Sequence, residues 1–283
     1  MLPPVEFLAC PDCLGKLEPL EDDASLGCSV CGRVFKEARG GLDIVPVRVP
    51  LLTHQTITQF GASWQIHDHL AEYQERQFLD WIAPMTAADF SGKTLLEAGC
   101  GKGRHSRLLE RFSPKRLFSV DLSDAVLLAA HNTQDADNVY CLRADLLRLP
   151  VPGGVMDVVF CVGVLHHLEN PEKGLKELWR ALKPGGTLCL WVYGREGNGW
   201  IVHLVDPIRK GITSRIPARW LRPLLWPLDG FLFLLLKTLY GPATRWGQRR
   251  VGFLPYANYL GYISKFPFRE IASRMDVPKE FLA

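Results

Sequence analysis

Two pairs of cysteines stand near the start of the chain, Cys10-Pro-Asp-Cys13 and Cys28-Ser-Val-Cys31, with 14 residues between them. Each pair holds two sulfurs on one tight knuckle turn, and Gly32 follows the second. Four thiolates suit tetrahedral Zn²⁺, so this spacing predicts a zinc ribbon. Four sulfurs close the coordination shell and leave no open position for water, which makes the metal structural rather than catalytic. In so short a segment, metal binding largely replaces a hydrophobic core. A redox CxxC or an unmetallated remnant is the alternative reading.

A second cluster reads Glu97-Ala98-Gly99-Cys100-Gly101-Lys102-Gly103. Glycines between a strand and a helix let a ligand approach the backbone closely. The third glycine comes one residue early for a dinucleotide fingerprint, whose last position falls on Arg104. An acidic residue also precedes the loop, so it suits a ligand carrying an ammonium and a sulfonium better than a pyrophosphate. Asp121 lies 22 residues after Gly99, near the spacing at which an acidic side chain takes ribose hydroxyls. Asp145, after a third apolar run, can accept a hydrogen bond from an adenine amino group. His166 and His167 follow a fourth run, at the edge where ligands bind in open α/β sheets. An imidazole titrates near neutral pH and can take a proton from a hydroxyl, amine or carbon acid. The plainer reading is a turn with one ring packed and the other solvated.

These residues need a scaffold. Between positions 91 and 193 the apolar runs KTLLEAG, RLFSVD, NVYCLRAD, VMDVVFCVG and GTLCLWVY alternate with HSRLLERF, SDAVLLAAHN and PEKGLKELWRALK. Such alternation predicts an α/β fold, a Rossmann-like, doubly wound parallel sheet covered by helices. Four divisions follow: a zinc ribbon over 1–50, a helical linker or cap over 51–90, the ligand-binding core over 91–193, and an aromatic, basic helical extension over 194–283. In the second, Tyr73, Phe78, Trp81 and Ile82 lie near helical spacing.

Composition sets outer bounds. The 283 residues are 47% hydrophobic and 22% charged, with a net charge of +3, an ordinary globular balance that excludes a mainly disordered chain. The N-terminus MLPPVEFLAC lacks the basic region and apolar core of a secretion signal. In the last third of the chain the longest purely apolar run is Phe231 to Leu236. A spanning helix needs about 20 such residues. The other four cysteines (Cys100, Cys141, Cys161, Cys189) are scattered, as free thiols in a reducing compartment would be. The expected location is the cytoplasm, with peripheral contact at the inner face of the membrane as a further option.

The successive motifs EAGCGKG, VDLS, ADLLRLP, DVVFCVGVLHHL and LKPGGTL resemble those of class I S-adenosylmethionine (SAM) methyltransferases, nearest the small-molecule group that includes the ubiquinone/menaquinone methyltransferases. The resemblance covers about residues 91–193. It implies that Glu97, Gly99, Cys100, Gly101 and Gly103 surround the methionine part of SAM. It further implies that Asp121 binds the ribose and Leu122 lies against adenine. Asp145 and Leu146 would meet the adenine edge, and Cys161, Val162 and Gly163 would offer backbone near the amino group. His166 and His167 are the candidate catalytic bases. Separately, CPDCLGKL, CSVCGRVF and GGLDIVPV are similar to the N-terminus of zinc-ribbon guanine-N1 rRNA methyltransferases. Class I methyltransferases usually end in two further strands, and no convincing pair follows residue 193.

The acceptor is harder to read. From 207 to 250 nine Lys and Arg residues face one acid, Asp229, interleaved with Trp220, Trp226, Trp246 and the run FLFLLL. That composition suits an anionic membrane surface, a lid over a large apolar substrate, or an ordinary helical cap. It is too apolar for a typical RNA face. Pro217, Pro223 and Pro227 argue against one long helix there. The reading is therefore methyl transfer to an oxygen, nitrogen or carbon of a small or lipid-like molecule. An rRNA or tRNA methyltransferase is the first alternative, though residues 1–50 carry eight acids against five bases, a poor phosphate-binding balance. A non-catalytic zinc-ribbon partner protein is the second.

Overall fold

The structure, a computed structural model, describes residues 2–21, 24–38, 40–49, 73–192 and 218–241, with a few positions between 260 and 268. The chain forms two compact units, residues 1–194 and 195–283. In the first unit the described strands are β1 (Leu17–Pro19), β2 (Ser25–Cys28), β3 (Val34–Ala38), β4 (Gly41–Asp43), β5 (Thr94–Ala98), β6 (Arg116–Asp121), β7 (Val139–Arg143), β8 (Met156–Val162) and β9 (Leu182–Trp191). Its helices are α1 (Tyr73–Ile82), α2 (Arg104–Glu110), α3 (Ala125–Asn132) and α4 (Pro171–Ala181).

The strands make one sheet in the order β1-β2-β3-β4-β7-β6-β5-β8-β9. From β7 to β9 every pairing is parallel. The chain winds from β5 outward through β6 to β7, then returns to place β8 on the other side of β5. The order therefore reverses between β5 and β8, and ligands of such sheets sit beyond the carboxyl ends at that reversal.

Alternation along the strands separates two cores. Leu96, Ala98, Phe118, Val120, Val159 and Cys161 point to one face, where Leu178 and Ala181 of α4 cover them. Leu95, Leu117, Val158 and Phe160 point to the other, under Phe78 and Ile82 of α1 and Leu108 and Leu109 of α2. Glu97 and Ser119, paired in register, fall on this second face. β5 is buried along its whole length, as befits a central strand of a parallel sheet. α4 starts at a sharp signal: the Asn170 side chain accepts the Lys173 N–H at 2.9 Å, and Pro171 occupies the first turn.

The cysteine-bearing segment is built into this unit. β1 to β4 form an antiparallel meander. β4 then pairs parallel with β7, Leu42 opposite Leu142 and Asp43 opposite Arg143. Leu8, Cys10, Leu17, Leu26 and Phe35 share the α4-side core. The Phe7 and Phe118 rings lie 5.4 Å apart, and the Ala9 N–H donates to the Pro150 carbonyl at 2.9 Å. The last strand of the ribbon is thus also a strand of the core's sheet. Among the described residues no strand follows β9, and residues 51–72 of the expected cap lie outside them.

In the second unit α5 (Ala218–Leu235) leads into a π-helical turn, Leu236–Tyr240. Pro223 and Pro227 argue against one long helix here, yet α5 runs through both. A proline removes one N–H bond and crowds the preceding turn, which a helix survives when neighbours such as Leu, Arg and Ala favour it. No helix among the described residues is long and apolar enough to cross a membrane.

Because Leu42 is buried in the core that β4 shares with β7, Leu42→Ala destabilises the whole first unit by about 2–5 kcal/mol. Urea unfolding followed by tryptophan fluorescence and by zinc release should shift together. A shift of zinc release alone would show a ribbon that folds independently.

Candidate active site and metal centre

The four cysteines converge as their spacing predicts. Their sulfurs all lie within 4.8 Å of one another, with Cys10–Cys31 at 3.6 Å and Cys13–Cys28 at 3.5 Å. A tetrahedron with Zn–S bonds of about 2.3 Å has edges of about 3.8 Å, so the set fits Zn²⁺. Two backbone N–H groups point at sulfur, Gly15 to Cys13 at 3.4 Å and Cys31 to Cys28 at 3.5 Å, and both favour thiolates. Gly15 must lack a side chain, since a Cβ there would stand 2.9 Å from the Cys28 sulfur. Asp12, inside the first knuckle, pairs with Arg33 and reaches Arg148 of the core at 3.5 Å.

At the reversal point, the glycine loop leaves β5 with Gly99, Gly101 and Gly103 all at positive φ. The N–H groups of Gly99 and Cys100 both donate to the Val120 carbonyl, at 2.7 and 2.9 Å. Asp121, closing β6, fastens the loop from its other side. One carboxylate oxygen accepts the Gly101 N–H at 2.8 Å; the other accepts the Ser123 N–H and hydroxyl at 2.8 and 2.7 Å. Leu122, half-buried, stands beside it. A Cβ on Gly99 would come 2.3 Å from a methyl of Val164, and one on Gly103 would come 2.8 Å from the Ala129 Cα. The first contact brings the β8 loop against the glycine loop; the second seats α2 on α3. Cys100 is buried between these elements with Cys141, and burial raises both thiols well above their ordinary range.

Glu97 is fully buried beneath this loop. One of its oxygens accepts the Ser106 hydroxyl at 2.5 Å and the Ser119 hydroxyl at 3.4 Å, and Ser119 also donates to Ser106 at 2.9 Å. Its other oxygen stands 3.7 Å from Nδ1 of His105. Burial pushes the carboxyl up to about 7, against the pull of the two serines. Burial, reinforced by the Arg104 charge, holds His105 far below its ordinary value, so the ring stays neutral. His105 stacks on Phe78 at 5.1 Å, and Trp81 stacks on Trp191 at 5.0 Å under the Arg104 guanidinium. Sequence reasoning assigned HSRLLERF only to a helix and missed His105, Ser106 and Ser119. The available signal was the period-two register that puts Ser119 opposite Glu97.

Asp145 follows β7, joined to the Asp121 strand end through the Ala144 N–H and the Asp121 carbonyl at 3.0 Å. Its carboxylate accepts the Leu147 N–H at 2.9 Å, burial raises its pKa, and Leu146 beside it is buried. Asp145 also walls a groove of about 540 Å³ shared with Val47, Arg48, Arg148 and Lys173, where the ribbon meets the core; Asp121 and the glycine loop do not line it. Cys161 is buried, with its thiol raised to about 12 by burial, and Val162 and the positive-φ Gly163 close β8. His166 and His167 form a single turn after that strand, their rings 4.0 Å apart. Burial lowers both, and with the neighbouring His166 charge it pushes His167 to about 3.

A parallel α/β sheet with an acidic glycine loop at its reversal point, an acid closing each of the next two strands, and a four-sulfur ribbon on its edge define a class I methyltransferase fold with a zinc-ribbon attachment. Residues 96–190 match the family of methyltransferase domains, and residues 5–36 match Trm112p-like proteins. A stretch similar to methyltransferase domains thus follows one similar to Trm112p-like proteins. It is 35% identical to a malonyl-[acyl-carrier protein] O-methyltransferase of Serratia marcescens, over 38% of this chain and 44% of that one. It is 28% identical to a tRNA U34 carboxymethyltransferase of Campylobacter curvus, over 59% of this chain and 56% of that one. A SAM-dependent methyltransferase structure from Aquifex aeolicus is 22% identical over 44% of this chain and 68% of that one, with a TM-score of 0.38. The chain spans 34% to 68% of the length of the curated relatives it matches.

Two outcomes follow from this geometry. Gly103→Ala must place a Cβ against the Ala129 backbone at φ +78, so it costs at least about 2 kcal/mol in a thermal or urea melt and weakens any ligand held by the loop. Glu97 and His105 pull stability in opposite directions with pH. Glu97 titrates higher folded than unfolded, so its contribution is full below pH 4.5 and is lost, by about 3 kcal/mol, as pH rises through about 7. His105 titrates lower folded, so its contribution is present above pH 6.5 and is lost as pH falls. Glu97→Gln removes the first slope, and its stability should rise more steeply with pH between 4.5 and 7 than that of the wild type. Parallel curves for the two proteins would contradict this assignment.

Proposed function

We propose that the chain is a SAM-dependent methyltransferase acting on a small-molecule or lipid-like acceptor. The observation that carries this reading is the Asp121 carboxylate, which ties the Gly101 N–H to the end of β6 at the sheet's reversal point. In this reading Gly99, Cys100, Gly101 and Gly103 form the bed of the methionine moiety, with Glu97 supporting the loop from beneath. Asp121 takes the ribose hydroxyls and Leu122 one face of the adenine. Asp145 and Leu146 take the adenine edge, and Cys161, Val162 and Gly163 line the side toward the amino group. The cofactor, when bound, supplies an electrophilic methyl group on its sulfonium. The protein's work is then to hold an acceptor atom in line with that bond, which can supply much of the rate without a base. If a base acts, His166 suits the role better than His167, which at about 3 is too weakly basic near neutral pH. Zinc at Cys10, Cys13, Cys28 and Cys31 is structural, and free buried thiols suit the cytoplasm.

An RNA acceptor is the second reading. It is supported by the Trm112p-like segment, by the tRNA carboxymethyltransferase relatives, and by Arg48, Arg148 and Lys173 around the groove at the ribbon's exit. Phosphate contacts there would give binding that weakens steeply with salt, whereas a small acceptor would not.

Calorimetric titration of the zinc-loaded chain with S-adenosylhomocysteine tests the cofactor reading. The expected outcome is saturable binding that Asp121→Ala weakens by about 30-fold or more, the loss of two charge-assisted hydrogen bonds. A folded, zinc-loaded sample that binds nothing would overturn it.

A further inference from the structure

The helix α5 is amphipathic in the inverted sense. Its inward stripe is Asp229, Phe233, Leu236 and Tyr240, at helical spacing, and Asp229 is only 1% exposed. Its outward side carries Leu228, Phe231 and Leu234, three residues apart, with Phe231 64% and Leu234 60% exposed. Trp226, on the flank, is 65% exposed, and Leu239 of the following turn is half exposed. The one acid in residues 207–250 is thus turned inward while large apolar side chains face solvent. Scattered exposed apolar residues need no explanation, but a continuous stripe along about two turns marks a surface that meets something apolar.

The charges say what that is. Arg219 and Arg222 belong to the first turns of α5, and the Lys237 ammonium stands 5.3 Å over the Phe233 ring at the far end. In sequence, Arg209, Lys210 and Arg215 precede the helix and Arg245, Arg249 and Arg250 follow it. An apolar stripe with a flanking Trp, cations at both ends and no exposed acid complements an anionic lipid surface: side chains enter the acyl boundary while Lys and Arg stay with the headgroups. The helix is not apolar enough to span. We propose that α5 is a monotopic membrane-docking helix, with Leu228, Phe231 and Leu234 as the inserted face and an anionic phospholipid surface as the partner. This rests on the second unit alone and holds or fails independently of the cofactor reading.

Flotation of the full chain with phosphatidylcholine vesicles, with and without phosphatidylglycerol, tests it. The expected result is co-flotation with the anionic vesicles that falls at least about tenfold in Phe231→Ser/Leu234→Ser, because both side chains leave water on insertion. Arg219→Glu/Arg222→Glu should weaken it as well, and high salt should do the same. The first two substitutions are at exposed positions, and circular dichroism with zinc content checks that both variants fold. No flotation with anionic vesicles at low salt would overturn the proposal. So would flotation that the Phe231/Leu234 pair leaves unchanged. Concentration-dependent self-association in sedimentation, abolished by that pair in a chain that does not float, would also overturn it and assign the face to a second copy of the chain.

Discussion

The carboxylate of Asp121 is the fastening on which the site depends. It accepts the Gly101 N–H from one direction and the Ser123 N–H and hydroxyl from the other, holding the turn after β5 to the turn after β6. Those strands are neighbours in a parallel sheet, so their carboxyl ends fall together beside the reversal between β5 and β8. A loop with three positive-φ glycines has many conformations open to it when free. Here Asp121, the Val120 carbonyl and the close seats beside Val164 and Ala129 leave it one. The chain fixes its backbone donors before any ligand arrives, so less ordering remains to be done on binding.

Beneath that loop lies a buried polar cluster. Burial raises the Glu97 carboxyl to about 7 and keeps His105 neutral, and two serines tie Glu97 to α2 and β6. Buried carboxylates are costly when charged and unpaired, and this one sits where α2 begins, directly under the glycines. At the edge of the sheet the ribbon performs a different task. Four sulfurs converge beside Leu8, Leu17, Leu26 and Phe35, which share the α4-side core, and β4 extends the sheet beyond β7. The strand that leads to Asp145 is thereby an inner strand, flanked by β4 and β6.

Much of this was legible in the sequence because it rests on local rules. CxxC spacing announces a tetrahedral site, glycines between an apolar run and a helix announce a close approach, and five apolar runs separated by helices announce a parallel sheet. What escaped was decided by tertiary contact. Nothing in GGLDIVPV says that Leu42 lies opposite Leu142, because the partner is a hundred residues away. The Glu97–Ser106–Ser119 cluster needed the strand register as well as the motif. The prolines at 223 and 227 carried a strong local signal against a continuous α5, and the surrounding helix formers outweighed it. The inward turn of Asp229 was equally hidden, since an acid in an apolar run reads as exposed until the helix face is known.

In the proposed reading the turns after β5, β6 and β7 form one cofactor site. Amide hydrogen exchange of the zinc-loaded chain, with and without S-adenosylhomocysteine, tests it at backbone resolution. Bound ligand should slow exchange at residues 99–103, 121–123 and 145–147 together, and leave the ribbon knuckles at 10–15 and 28–32 unchanged. Protection confined to any other part of the chain, or none at a ligand concentration that saturates binding, would rule out a cofactor site at these turns.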